Sequence, residues 1–189
     1  SSGIIAMSFF GTFLLSQLGF SDRSAALANC LSALAGTAGA ITATLAVDKV
    51  GRRLLVVGSL LLLAMINTLM MVLELLYEAT RWMPLGQAFL LIFIAFLFIF
   101  SAGAGPAAWF IGAELSPQGA RARVQAASIG AQYLTCFLSP IVYFPLQRSA
   151  GAYSFLLFIV PLSAASVFFY YSLPETRGKN SEEIQNELR

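Results

Sequence analysis

The stretch Asp48-Lys49-Val50-Gly51-Arg52-Arg53 separates two long apolar segments of the sequence. No charged residue occurs in residues 25–47 before it or in residues 54–73 after it. Each segment is close to the ~20 apolar residues with which a helix crosses the hydrocarbon layer of a bilayer. Three basic residues in so short a loop predict a position at the cytoplasmic surface, because cytoplasmic loops are enriched in Lys and Arg.

The composition of the whole chain also indicates a membrane protein. Charged residues make up 11% of the 189 residues, whereas soluble domains contain about 25%. Apolar spans are predicted at about residues 1–19, 25–47, 54–77, 84–112, 124–145 and 152–173. The expected fold is therefore an all-α membrane protein with six transmembrane helices in residues 1–173 and a tail in residues 174–189. Because the chain opens at Ser1-Ser2-Gly3, we interpret it as a cut through a longer protein.

The distribution of basic residues predicts the orientation in the membrane. The separators on one side contain three basic residues: Arg23, Arg81 and Arg148. Those on the other side contain seven: Lys49, Arg52, Arg53, Arg121, Arg123, Arg177 and Lys179. The positive-inside rule then places residue 1 and the tail on the cytoplasmic side. We expect an integral protein of the plasma membrane.

The fifth span carries a polar stripe. Its members recur at spacings of three and four residues, which places them on one helical face: Gln125, Ser128, Gln132, Thr135 and Ser139. Polar groups that face lipid cost free energy, so this face is expected to meet protein or water. Hydrogen bonds between helices explain two or three such residues. A stripe of five with two glutamines favours a polar cavity.

The fourth span is too long for one simple crossing and contains Gly103-Ala104-Gly105-Pro106. Glycine and proline weaken a helix, and in lipid the freed backbone groups need partners from protein or a cavity. We predict a helix break at Gly103, Gly105 and Pro106 that lines a pathway. A kinked packing helix is the alternative.

Two further features of the spans concern packing and position. Small residues recur every four positions in the second span, which predicts a ladder for close helix packing: Ser32, Gly36, Ala40 and Thr44. Glu74, at the outer end of the third span, is expected at the membrane interface. On that interpretation no buried ionisable group is visible in the chain.

The residue types in the spans indicate which kind of ligand the chain could bind. The sequence has no histidine, and its spans show no paired carboxylates or cluster of metal ligands. Hydroxyls, amides and aromatic rings suit a neutral polyhydroxyl ligand, because sugar hydroxyls both donate and accept hydrogen bonds. We expect no enzyme activity, cofactor, metal site or nucleic acid partner.

Three motifs resemble the facilitative glucose transporters, in the sugar-porter branch of the major facilitator superfamily. They are the stretch 48–53, the stretch 105–115 with Trp109 and Glu114, and the stretch 174–179 after the last span. The resemblance covers the C-terminal half of that family, helices seven to twelve. It implies facilitated diffusion of a hexose by rocking alternating access, with the missing N-terminal half and the lipid bilayer as partners.

The resemblance also implies site residues. Substrate-binding residues would be Trp109, Ser128, Gln132, Tyr133 and Cys136. A cytoplasmic ion-pair gate, which closes the inner side and parts as the halves rock, would comprise Asp48, Arg52, Arg53, Glu114, Arg121 and Glu175.

Several positions depart from the family pattern, where hexose-coordinating amides or an acidic residue are expected: Ile5, Gly36, Ser101, Gln132 and Cys136. Glucose, fructose, another small polyol and a non-sugar solute therefore all stay open. Two other functions also stay open: a proton-coupled sugar symporter, and a non-transporting sensor or scaffold with a degenerate substrate site.

Overall fold

The computed structural model describes residues 4–50, 52–105, 119 and 121–172, which lie in helices and in the turns between them. The helices are α1 (Ile4–Gln17), α2 (Asp22–Val50), α3 (Arg52–Thr80), α4 (Met83–Ala102), α5 (Arg121–Ala150) and α6 (Leu156–Ser172), with a 3-10 segment at Gly151–Phe155. No β-strand occurs in these residues, so the described part of the chain is all-α.

Four stretches of the described residues are long and apolar enough to cross a membrane: Asp22–Thr44, Leu55–Thr80, Met83–Ala102 and Arg121–Tyr171. The last one contains 51 residues and joins α5 to α6, whereas a single crossing needs ~20 residues. Helix α1 has only 14 residues, fewer than the ~20 that a helix needs to cross the membrane, so it is not among these four stretches. Six crossings therefore stay a prediction, and the tail of residues 174–189 lies outside the described residues.

The charged stretch between the second and third spans is largely helical. α2 continues to Val50 and α3 begins at Arg52, so one residue separates the two helices. The sequence predicts a longer loop here because charged residues interrupt the apolar pattern. Charge does not prevent helix formation, however, since Lys and Arg have good helix propensities.

α4 occupies the centre of the packing and contacts α1, α2 and α3. Phe89, Phe93 and Phe96 recur at spacings of four and three residues, and all three are fully buried. They belong to a core to which α1 contributes Met7 and Leu14. In addition, α3 packs on α6, α1 packs on α2 and α5, and the 3-10 segment packs on α3 and α5. Burial of these large side chains holds the helices around α4.

One end of this arrangement is called the outer end below. α1, α3 and α5 finish there, and the three loops or turns that follow them are the ones poor in basic residues. The name follows the predicted orientation.

The contact between α2 and α4 corrects the predicted ladder of small residues. Ser32 is buried and Gly36 lies near Ser101, but Ala40 and Thr44 are exposed. The close approach is made at Gly39, where an added Cβ would overlap the carbonyl oxygen of Phe98. An α-helix turns about 100° per residue, so residues four apart are displaced by about 40° around the helix. A strict four-residue ladder therefore drifts away from a straight line of contact. The buried face therefore changes register and passes through Gly39.

This contact predicts opposite effects at two helical glycines. Gly39→Ala should lower the free energy of unfolding by about 1–3 kcal/mol, because the methyl group forces α2 and α4 apart. Gly58→Ala is the matched control: nothing lies within 4 Å of its added Cβ, and alanine favours a helix by about 0.5–1 kcal/mol. Unfolding of the detergent-purified protein measures both. Equal stability of Gly39→Ala and the parent would contradict the close contact.

Candidate functional site

The predicted substrate-binding residues of α5 are exposed or half-buried, as are all residues of this helix except Tyr143 and Gln147. Ser128 and Gln132 are exposed, Tyr133 is 68% exposed, and Cys136 is half-buried. Thr135, on the polar stripe, donates from its hydroxyl to the carbonyl of Ala131 in its own helix. This hydrogen bond stays within α5, so it does not link Thr135 to a neighbouring helix. Trp109 lies outside the described residues.

Of the six residues of the predicted cytoplasmic ion-pair gate, only Arg121 has a side chain that the structure describes. Arg121 begins α5 and its side chain is exposed. Asp48 lies in the last turn of α2, and Arg52 and Arg53 lie in the first turn of α3. Nothing is described of the side chains of these three residues, and Glu114 and Glu175 lie outside the described residues altogether. The pairs of the gate stay a prediction.

The predicted helix break coincides with the end of α4. This helix ends at Ala102, and residues 104 and 105 are helical again after the turn at Gly103. Gly103 is buried, and its N–H donates to the carbonyl of Ile99 at 3.1 Å. A Cβ there would overlap the side chain of Ser59 on α3. Gly103 therefore permits close contact between α3 and α4, Gly105 is half-buried, and Pro106 lies outside the described residues.

A buried polar network at the outer end was not predicted. Glu74 of α3 lies at the outer end, but only 5% of the residue is exposed. Its Oε1 accepts a hydrogen bond of 2.6 Å from Nε2 of Gln147 on α5. Oε1 of Gln147 in turn accepts a hydrogen bond from the Ser154 hydroxyl in the 3-10 segment. The expectation that the chain contains no buried ionisable group is therefore wrong.

Glu74 is buried because it lies on the same face of α3 as a row of buried apolar residues. Leu63, Met70 and Tyr77 lie at spacings of seven residues on this face, and Glu74 lies between the last two. Asn67, also on this face, is fully buried and donates to the carbonyl of Leu63 at 2.8 Å. Because helical residues three or four apart share a face, the apolar spacing is the signal that could have shown both polar residues to be buried.

The turn into α6 brings Ser154 to this network. Gly151 opens the 3-10 segment with φ of +54°, a left-handed conformation that glycine adopts without a Cβ penalty. A Cβ on Gly151 would lie 3.1 Å from Oε1 of Glu78. The chain thus reverses beside two carboxyl groups of α3, and Ser154 is fully buried next to Gln147.

A cavity of ≈ 460 Å³ adjoins the network at the outer ends of α1, α3 and α5. We call it the outer cavity. Its walls are formed by Phe13, Gln17, Glu74, Glu78, Gln147, Arg148, Ala150 and Gly151. The Arg148 guanidinium lies 4.6 Å from the centre of the Phe144 ring, a cation–π distance. The outer cavity is therefore polar, with carboxyl, amide and guanidinium groups in its walls.

Metal chemistry finds no support in residues 4–50, 52–105, 119 and 121–172. No group of three His, Cys, Asp or Glu side chains converges there.

The sequence was compared with known proteins. A profile of the family described as "Sugar (and other) transporter" matches residues 1–188. The chain is 32% identical over 184 residues to the "Solute carrier family 2, facilitated glucose transporter member 3" of Ovis aries and 31% identical over 186 residues to that of Homo sapiens. These alignments cover 97% of this chain but only 36% of each relative. The resemblance predicted from the motifs is thereby confirmed, and the chain belongs to the sugar (and other) transporter family.

Proposed function

We propose that this chain is the C-terminal half of a transporter that moves a hexose-type sugar by facilitated diffusion. The observation that carries the proposal is the family match, which extends over residues 1–188. The relatives are named as facilitated glucose transporters, so neither proton coupling nor a sensor role is favoured. The chain spans 36% of the length of these relatives. The proposal includes an N-terminal half of the transporter as the partner of this chain.

The polar stripe on α5 supports a central substrate site between two halves. Gln132 offers both donors and an acceptor, which matches the hydroxyls of a neutral sugar. Tyr133 adds an aromatic ring beside it, and both side chains are exposed in the described half. Polar residues at membrane depth normally face protein or a water-filled cavity. The second half would complete that cavity, with Trp109 as a further predicted contact.

The rocking mechanism needs contacts that break and re-form. The ion-pair gate proposed on the cytoplasmic side supplies them through residues such as Arg121 and Glu175. Exposed ion pairs contribute only about 0–1 kcal/mol each, so they are weak enough to part in every cycle. The exposure of Arg121 agrees with this requirement. We place residue 1 and the tail in the cytoplasm and the protein in the plasma membrane.

The first prediction concerns affinity for the transported solute. Gln132→Leu in the full-length protein should weaken hexose affinity several-fold, because a lost hydrogen bond to a neutral ligand costs about 0.5–1.5 kcal/mol. Ser163→Ala, at an exposed position on α6, is the control and should keep the parental affinity. Concentration-dependent uptake of radiolabelled glucose and fructose, corrected for surface delivery, measures both. Unchanged affinity of Gln132→Leu for each sugar would count against the site.

The second prediction concerns water in the central cavity. Gln132 and Leu134 are both exposed, but they point about 200° apart around α5. A cysteine in place of Gln132 should react with a polar thiol reagent, whereas Leu134→Cys should react slowly because lipid surrounds it. The ratio of the labelling rates in intact cells gives the result. Equal rates would mean that the stripe does not face water.

A further inference from the structure

The outer cavity is separate from the predicted central site. Gln147 in its wall lies 15 residues beyond Gln132 on α5, which is about 22 Å along a helix. The volume of the outer cavity, ≈ 460 Å³, is within the range of about 300–1,000 Å³ for small-molecule sites. None of the predicted substrate-binding residues is among the described residues that line it. The outer cavity therefore needs an explanation of its own.

Two opposite charges line the outer cavity without pairing with each other. Glu78 of α3 and Arg148 of α5 are both exposed, and no ion pair joins either of them to another of the described residues. Glu74 adds a second carboxyl group to the same wall, but it is buried and accepts its hydrogen bond from Gln147. The charged groups that a ligand in the cavity can reach are therefore one carboxyl group and one guanidinium.

Separate contacts hold these two charges apart. A Cβ on Gly151 would lie 3.1 Å from Oε1 of Glu78, so the Glu78 carboxyl group lies against the start of the 3-10 segment. The Arg148 guanidinium instead lies over the ring of Phe144, one turn back along α5. The Phe144 ring in turn meets the Phe13 ring of α1 edge-on, with 5.7 Å between their centres. The negative group thus lies beside the turn into α6, and the positive group lies beside aromatic side chains of α1 and α5.

A ligand with one kind of charge leaves the opposite charge of the cavity unpaired. A simple cation is attracted by Glu78 but repelled by Arg148, and a simple anion is attracted by Arg148 but repelled by the carboxyl groups. A zwitterion uses both side chains, because its ammonium group donates to Glu78 and its acid group accepts from Arg148. Methylene groups between its two ends can pack against the Phe13 ring in the cavity wall. The lining therefore matches a short zwitterion.

We propose that the outer cavity binds a small ω-amino acid, a zwitterion whose ammonium and acid groups are separated by a short alkyl chain. The ammonium group binds Glu78 and the acid group binds Arg148, so the bound ligand links α3 to α5. The alkyl chain is needed because the two side chains do not meet each other in the structure. The site rests on the geometry of the outer cavity and is independent of the proposed transport function.

Protection of a cysteine against labelling tests this site. Ala150→Cys is placed in the cavity wall of the full-length protein, with Cys30, Cys136 and any other cysteines replaced by serine. The protein, purified in detergent, reacts with a polar, uncharged thiol reagent at neutral pH, with or without γ-aminobutyrate. Because exposed ion pairs are weak, the probe is used at millimolar concentration, and sodium chloride keeps the ionic strength constant. We expect γ-aminobutyrate to slow labelling of Ala150→Cys severalfold.

Two half-ligands of similar size serve as controls. Butylammonium carries only the positive group and butyrate only the negative one, so each should slow labelling less than γ-aminobutyrate does. Glycine should also protect less, because its two charged groups are too close together to reach both side chains. Thr80→Cys, exposed at the end of α3 and outside the cavity wall, should label at a rate that none of these compounds changes.

Two charge variants connect the protection to the proposed contacts. Arg148→Gln should reduce the protection by γ-aminobutyrate to that given by butylammonium, and Glu78→Gln should reduce it to that given by butyrate. Both side chains are exposed, so neither change disturbs folding. Arg23→Gln and Asp22→Asn are the matched controls, because they remove the same charges at exposed positions that do not line the cavity. Both controls should keep the parental protection.

Three results would overturn the proposal. The first is labelling of Ala150→Cys that γ-aminobutyrate does not slow. The second is protection by butylammonium or D-glucose equal to that by γ-aminobutyrate, which would mean that the cavity takes a simple cation or a neutral solute. The third is undiminished protection in Arg148→Gln or in Glu78→Gln, which would mean that the ligand does not use both charges.

Discussion

The hydrocarbon layer offers no hydrogen-bond partners, and this constraint shapes the whole chain. Each buried backbone group must be satisfied inside its own segment, so the spans are helices. The side-chain hydroxyls follow the same rule, since Ser32 donates to the carbonyl of Ala28 at 2.8 Å and Thr68 to that of Ala64 at 2.8 Å. Association of the helices then depends on close contact, as at Gly39 on α2, because lipid is as apolar as the side chains.

The same constraint gives the Glu74–Gln147 contact its importance. A carboxyl group on the packed face of α3 is unfavourable unless another group satisfies it. The partner comes from α5, 73 residues along the chain, and Ser154 extends the network into the turn before α6. One buried hydrogen-bonded set thus joins the outer ends of three segments. It also fixes one wall of the outer cavity.

The sequence predicted the features that depend on local composition. Apolar runs showed the helices, and motif order showed the family. Features that depend on distant partners could not be predicted in this way. The burial of Glu74 was missed because its position in the span was considered without the face that it shares with Met70 and Tyr77. Gly39 was missed because a four-residue ladder ignores helical drift. The stripe with Gln132 was visible from spacing alone, but its contact with a sugar stays a prediction.

A double-mutant cycle between Glu74 and Gln147 tests the central claim most directly. Each is replaced by methionine, singly and together, and the free energy of unfolding of the full-length protein is measured in detergent. Either single change leaves a buried polar group unpaired, whereas the double change removes both. The account predicts a coupling energy of about 1–2 kcal/mol, with the double variant more stable than the sum of the single effects implies. Additive effects would contradict the buried hydrogen bond and the account built on it.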